Sequence, residues 1–384
     1  MPSLDPLVVI AVSGRALAES AARSARRVVV LDAFGDADTR AVGPVFDVGL
    51  RHGIGLYRKR MLEALARATT GRDAIIVTGS GFERHPHWLD RIARSGRLCA
   101  NPARLVAALK DPAIAFELLG ALGWPTPETR TAVPEYRAGW LQKRIGGAGG
   151  IHVRRAPGTR HASNAFYQRE ITGVPMSVTF LADAERAHVL GYNRLLTAAI
   201  GRAPFCHAGA ISGAILPGSL RTDLQARLDR LVRVTALRGL NGIDFLWRED
   251  RAVAVEINPR PTASFELYDP DFEGGLVRWH VRSFDGRLGD VPATPEPQYS
   301  RGFQVVYADR TIAIPTEASW PAWCHDLPRP GSVVHAGAPA LTVGASGPTV
   351  AAVQLALDDR VALIRQQLAR WLAQPAVTTE GILP

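Results

Sequence analysis

Only three lysines occur in 384 residues, Lys59, Lys110 and Lys143, although lysine and arginine together number 45. A drift of composition toward arginine accounts for the bias. It also singles out the places where an ammonium was kept, because ammonium is a compact point charge and guanidinium a planar fork. Cysteine is equally scarce. Cys99, Cys206 and Cys324 lie far apart with no Cys-x-x-Cys spacing, which argues against a disulfide framework or a structural zinc site and for a reducing compartment. Long apolar runs are missing as well: residues 7–12 lie between Asp5 and Arg15 and are too short for a signal peptide or a membrane span. These absences predict a cytoplasmic protein without a membrane partner. The formal net charge of +9 comes from scattered residues, with no basic run interleaved with aromatics, so nucleic acid is not an expected partner. No internal repeat or low-complexity tract is visible.

What is present is globular. Apolar residues make up 47% and charged residues 21%, and at ~150 residues per domain the length allows two or three domains. The chain opens as strand (7–12), helix (16–26) and strand (27–31), a βαβ unit whose first turn, Ser13-Gly14-Arg15, lacks Gly-x-Gly-x-x-Gly. A dinucleotide-dependent oxidoreductase loses its main support there. Residues 74–78 read as a further buried strand, and Gly79-Ser80-Gly81-Phe82-Glu83 follows at its carboxyl end, where open α/β sheets bind ligands, so Glu83 is expected to face a substrate. Asn101-Pro102 and Asp111-Pro112 each read as a helix start with a capping side chain and proline in the first turn. The helix over 113–122 ends at Gly123, and Pro125 and Pro127 mark entry into a new domain.

Two segments carry chemistry. A strand over 139–144 holds Lys143, a return strand covers 151–155, and Gly146-Gly147-Ala148-Gly149-Gly150 joins them. A loop with so few side chains can bring backbone N–H groups up to phosphate oxygens, with Lys143 adding a point charge. Further on, apolar runs 241–247 and 253–260 flank the polar stretch 248–252, the pattern of an antiparallel hairpin. Pairing Trp247 with Val253 places Asp244 opposite Glu256, with Asn258 on the same face. Two carboxylates and an amide oxygen then converge, and a hard cation such as Mg²⁺, completing its shell from phosphates, is the natural compensation.

Taken together and in this order, Lys110, Lys143 with its glycine loop, Asp244, and Glu256-x-Asn258 followed by Pro259-Arg260 resemble the ATP-grasp superfamily over roughly residues 100 to 285. The resemblance implies a mixed α/β and α+β fold: an N-terminal open α/β (pre-ATP-grasp) domain over 1–100, a two-lobed ATP-grasp domain over 101–290, and a small C-terminal α/β appendage over 300–384. It implies an ADP-forming ligase that activates a carboxylate as an acyl phosphate and joins it to an amine, its partners being small molecules. ATP would be held by Lys110, Lys143, Gly146, Gly147, Gly149 and Gly150, with adenine read at the hinge by Gln168, Glu170 and Ile171. One or two Mg²⁺ ions, which Mn²⁺ can replace, would sit on Asp244, Glu256 and Asn258. Arg260 would act with Lys143 on the transferring phosphoryl group. Arg194, His207, Ser264 and Glu266 fall where relatives shape the acceptor side. The acidic residue that often holds ribose is missing after the hinge, from Gly173-Val174-Pro175-Met176-Ser177. Residues 79–83, the helix over 101–127 and Asn258-Pro259-Arg260-Pro261-Thr262-Ala263-Ser264 resemble, more narrowly, the branch of tyramine–glutamate ligase in methanofuran synthesis and related tetrahydromethanopterin-type proteins, which points to one-carbon cofactor biosynthesis. Homo-oligomers are compatible with this reading.

The rival from another class is a non-catalytic ATP-binding module with the same fold, against which the intact Asp244, Glu256 and Asn258 set speaks. Past a Gly/Pro-rich linker over 285–297, residues 305–308, 311–314 and 340–343 read as short strands and 358–372 as an amphipathic helix, with Trp320 and Trp323 expected in its core.

Overall fold

The computed structural model describes residues 6–373 apart from residues 25, 52, 71–72, 157–161, 287, 290 and 293–298. Much of the linker expected over 285–297 therefore lies outside the described residues. Five short strands form a parallel sheet in the order Val45–Asp47, Val28–Asp32, Leu7–Ala11, Ile75–Thr78, Arg97–Cys99, the three central ones buried throughout and the two edge strands partly exposed. Leu7–Ala11, Val28–Asp32 and Ile75–Thr78 are apolar on both faces because helices cover both sides, as parallel crossovers require. The carboxyl ends of Leu7–Ala11, Val28–Asp32 and Ile75–Thr78 open onto the molecule's main cavity.

The second body is an antiparallel sheet of eight strands. Its order runs Arg251–Asn258, Arg238–Arg248, Val174–Asp183, Ala187–Ile200, Ala203–Ile211, Ser300–Tyr307, Pro339–Gly347, Cys324–His325. The helix Gly218–Thr235 packs Leu220, Leu224, Leu228 and Leu231, spaced four, four and three residues apart, onto Val178, Phe180, Ile243 and Phe245 of this sheet. A smaller sheet, Thr129–Arg130, Ala165–Arg169, Trp140–Arg144, Arg154–Arg155, stands over it and carries Lys143. Among the described residues no helix is long and apolar enough to cross a membrane.

Several expectations meet corrections here. Asn101 caps no helix: its amide instead donates to the carbonyl oxygens of Arg238 and Pro259 and to Asn241 Oδ1, tying the helix Ala103–Lys110 to the large sheet. Asp111 does cap, its Oδ1 accepting from the amides of Ala113 at 2.9 Å and Ile114 at 3.3 Å. In the hairpin, Trp247 pairs with Ala252 rather than Val253, because Glu249 and Asp250, both with positive φ, make a two-residue turn between Arg248 and Arg251. A bulge at Val255 then takes up one extra residue, so Asp244 still faces Glu256. The return strand after the glycine loop is only Arg154–Arg155. Beyond residue 300 the chain continues the large sheet through Ser300–Tyr307 and Pro339–Gly347, longer than the short strands expected. The helix Val350–Ala373 covers them, and Trp320 packs edge-on against Trp371 at 5.1 Å.

The two bodies are joined through the helix Leu276–Ser283 and the turns before it. His280 lies fully buried between them: Nδ1 accepts from the Leu240 amide and Nε2 donates to the Cys99 carbonyl, each at 2.9 Å. Burial pushes its imidazole down to about 4, so it is neutral, as these two bonds require. Arg15 makes the other joint. Its guanidinium reaches Glu19 at 2.8 Å, Glu266 at 2.6 Å and Asp326 at 2.9 Å, connecting the first helix, the segment after the hairpin and the C-terminal part. Replacing Arg15 by Met should leave Glu266 and Asp326 without their cation and lower stability by about 3–5 kcal/mol, read from urea unfolding; a loss within experimental error would show that the joint carries no stability.

Candidate active site

A single cavity of about 1600 Å³ lies between the large sheet, the small sheet and the carboxyl ends of the parallel strands. That exceeds the ~300–1,000 Å³ of an ordinary small-molecule pocket and leaves room for a nucleotide and a second reactant together. It is lined by Lys110, Lys143, Gly146, Gly147, Gly149, Gly150, Gln168, Glu170, Ile171, Asp244, Glu256, Asn258 and Arg260, and by Glu83, His207, Ser264 and Glu266. Residues scattered over almost two hundred positions are thus brought to one space.

The hairpin supplies the acidic centre. Asp244 and Glu256 are direct cross-strand partners, and Asn258 donates from Nδ2 to Asp244 Oδ2 at 3.2 Å. Enclosure in the cavity, together with the charge of Glu256, pushes Asp244 up to about 7. Enclosure would also raise Glu256, but Lys110 at 2.7 Å more than offsets it and holds that carboxyl below its usual range. Lys110, the last residue of its helix, also donates to Asn258 Oδ1 at 3.0 Å, so its ammonium rests among the three oxygen-bearing side chains. Among the described residues no three His, Cys, Asp or Glu side chains form a metal-binding group. Two opposed carboxylates and an amide oxygen still suit Mg²⁺, a hard cation that keeps waters and takes further oxygens from phosphates.

Lys143, on the small sheet, donates to Gln168 Oε1 of the neighbouring strand at 2.6 Å; enclosure lowers the pKa of its ammonium despite the nearby carboxylates. The glycine loop lies close against its surroundings. The Gly149 carbonyl accepts from the His207 amide at 2.9 Å, and a Cβ at Gly150, whose φ is +71°, would collide with the Phe205 carbonyl oxygen. At the hinge, the Glu170 amide is spent on the Gly139 carbonyl, while the Glu170 carbonyl and the Ile171 amide have no backbone partner among the described residues; the Glu170 side chain pairs with Arg155.

Two substrate expectations change. Glu83 does not face a substrate freely: its buried carboxylate holds the Arg260 guanidinium and accepts from the Gly81 amide at 2.8 Å. Burial would raise it, but Arg260 and then Lys110 keep it low. Glu83 is therefore a positioning residue for Arg260. Arg194 lies outside the cavity, because alternation along its strand turns Leu195 inward and leaves Arg194 exposed. His207 lines the cavity with a buried Nε2 that has no partner among the described residues, and burial followed by Arg260 lowers it to about 4. Ser264 is buried on the wall, while Glu266 is bound to Arg15.

Sequence reasoning missed His152, packed beside Gly147 with an unpartnered Nδ1, and also Arg15, Asp36 and Asp326 on the cavity wall. The run Asp32, Asp36, Asp38 after the second strand was a readable signal for part of this; nothing local marks Asp326.

The sign of the pH dependence follows from Asp244. Its folded value near 7 lies above the ordinary 3.8 of an aspartate, so its contribution to stability is present below about pH 4 and lost as pH rises through 7. A divalent ion needs the carboxylate, so the rise in melting temperature caused by Mg²⁺ with ATP should grow between about pH 6 and pH 8. Thermal unfolding at matched ligand concentrations checks this, and a shift independent of pH would remove Asp244 as a ligand.

Residues 112–264 match the family described as an ATP-grasp domain, and comparison with curated proteins finds no match. Solved structures are similar over nearly the whole chain. The biotin carboxylase domain of Hydrogenobacter thermophilus 2-oxoglutarate carboxylase, in complex with MgADP, ADP and bicarbonate, has a TM-score of 0.71 at 11% identity, covering 94% of this chain and 90% of that one. The L-amino acid ligase from Bacillus licheniformis has a TM-score of 0.64 at 13% identity, with 94% and 98% covered. Rhizobium etli pyruvate carboxylase, with the activator acetyl coenzyme A, has a TM-score of 0.69 at 13% identity over 95% of this chain, which spans only 39% of that longer one. The chain thus carries an ATP-grasp domain, and its fold is the ATP-grasp fold.

Proposed function

We propose that this protein is an ADP-forming, Mg²⁺-dependent ligase that joins a small-molecule carboxylate to an amine in the cytoplasm. The observation that carries the reading is the convergence of two lysines, a glycine loop and an opposed carboxylate pair on one cavity large enough for two reactants. The likeness to an L-amino acid ligase supports it. In chain order the working parts are an N-terminal α/β domain (1–100), the two-lobed grasp (101–290) and a C-terminal part (300–384). Placement beside tyramine–glutamate ligase in one-carbon cofactor biosynthesis rests on sequence segments alone.

Phosphoryl transfer asks the protein for positioning and charge more than for covalent help. Lys143 and the amides of the glycine loop would hold the nucleotide phosphates, and Lys110 would join them by leaving Glu256. The Glu170 carbonyl and Ile171 amide would read adenine beside Gln168. Mg²⁺ on Asp244, Glu256 and Asn258 supplies charge neutralisation for the phosphates when bound. A carboxylate oxygen of the acid attacks the γ-phosphorus and ADP leaves; the amine nitrogen then attacks the acyl carbon, phosphate departs, and the nitrogen loses a proton. Arg260, held by Glu83, is placed to stabilise negative charge in both steps. His207 and Ser264 face the acceptor side.

The test is phosphate and ADP release with Mg²⁺ and ATP across pairs of acids and amines, with the product identified by mass as a dehydrated adduct. Pair-dependent turnover is the expected outcome. Asp244→Asn and Glu256→Gln should each lower it by about 10²–10³-fold, the scale of losing one electrostatic stabiliser, while Lys143→Ala should raise the KM for ATP steeply. Mg–ATP binding with no turnover for any pair would favour a non-catalytic nucleotide-binding module, and no binding would overturn the reading.

A further inference from the structure

The cavity extends past the nucleotide end to the carboxyl ends of the parallel strands, where Ser13, Arg15, Phe34, Asp36, Glu266 and Asp326 form its wall. Six carboxylates gather at this end around one buried arginine, and five of them have partners within the protein. Asp32 accepts from the amides of Gly14, Phe34 and Gly35, all at 2.6 Å. Asp38 accepts from the amides of Asp326 at 2.7 Å and Leu327 at 3.0 Å. Glu19, Glu266 and Asp326 share the guanidinium of Arg15.

Asp36 differs from the other five. It precedes the helix Ala37–Val42 without capping it, and its side chain has no hydrogen bond or ion pair among the described residues. It is 9% exposed, and what exposure it has is toward the cavity. The charged groups acting on it are Asp326, Asp32 and Asp38, opposed only by Arg15. A carboxyl withdrawn from water among like charges resists ionisation, and burial followed by these neighbours pushes Asp36 up to about 9. A cation beside it would reverse that cost. An anion would meet the same repulsion, and a divalent metal would find only one uncommitted carboxylate.

We propose that Asp36 binds the ammonium group of the amine substrate at this end of the cavity and accepts one proton from it, so that the nitrogen reaches the acyl carbon as the free amine. The word substrate rests on the ligase reading; the binding site itself does not. The amine is thereby selected by its charge, inside a pocket whose other carboxylates set a negative field without being available as ligands.

Calorimetry on the full chain, with Mg²⁺ and a non-hydrolysable ATP analogue measured in parallel, tests this with two pairs of probes that share a skeleton and differ in charge: putrescine against 1,4-butanediol, and tyramine against tyrosol. At least one amine should bind and its alcohol counterpart should not, a comparison made on the unaltered protein. Asp36→Asn, close to isosteric and relieved of an uncompensated carboxyl, should weaken amine binding by about tenfold or more, as loss of a charged hydrogen bond does, with nucleotide affinity unchanged as the check on folding. Equal binding of amine and alcohol, equal amine binding by Asp36→Asn, or no amine binding at all would overturn the proposal. Failure of the nucleotide analogue to bind would remove the ligase reading while the amine result still decided the site.

Discussion

Two carboxylates held opposite each other on neighbouring strands and withdrawn from bulk water must be neutralised, and the arrangement around Asp244 and Glu256 follows from that requirement. Lys110 and Lys143 come from separate segments to the same space, and Asn258 turns its amide N–H toward Asp244. Each of these groups is placed by a rigid element: a strand pair for the acids, a helix end for Lys110, a small-sheet strand for Lys143. The site is thus a balance of charge in which a lysine occupies the neutralising position. Such a balance gives a reason for two of the chain's three lysines to stand here: a short-range point charge can shift between partners more readily than a planar fork fixed by several bonds.

The parallel sheet contributes to the same site through one buried pair. Glu83 leaves the end of the strand Ile75–Thr78 and fixes Arg260, which follows the acidic strand. Gly146 of the glycine loop lies against the Glu83 carbonyl, where a Cβ would come within 2.5 Å of the oxygen. One short turn therefore meets both the arginine and the loop. Arg15 and His280 hold the sheets in the relation that makes this contact feasible.

Local patterns in the sequence carried the acidic hairpin, the lysine strand, the capping by Asp111 and the parallel strands, because each is encoded within a few residues by spacing and by side-chain type. The hairpin register shows the limit. Counting from the turn placed the pairing one residue off, and only a bulge, which spacing alone does not reveal, restores the opposition of the acids. Contacts between distant segments were illegible for a different reason. That Asn101 bonds across to residues 238, 241 and 259, or that Glu83 is consumed by Arg260, depends on how whole sheets pack, and no local feature of Asn101 or Glu83 announces it. Arg194 was misplaced because strand alternation, interrupted by the irregular register after Leu196, decides which side chains meet the cavity.

The segment that matches the domain family is not a portable cassette. Strand Ser300–Tyr307 pairs with residues 209–211, and the helix Val350–Ala373 seals Ile211, Val306 and Leu341 beneath Val353 and Leu357. Excising residues 112–264 would strip that edge and expose its apolar face, a template for intermolecular pairing. Transplanting this chemistry into another protein therefore means moving the later strands with it, so the natural unit of exchange is defined by sheet closure and not by the boundaries of the motif-bearing stretch.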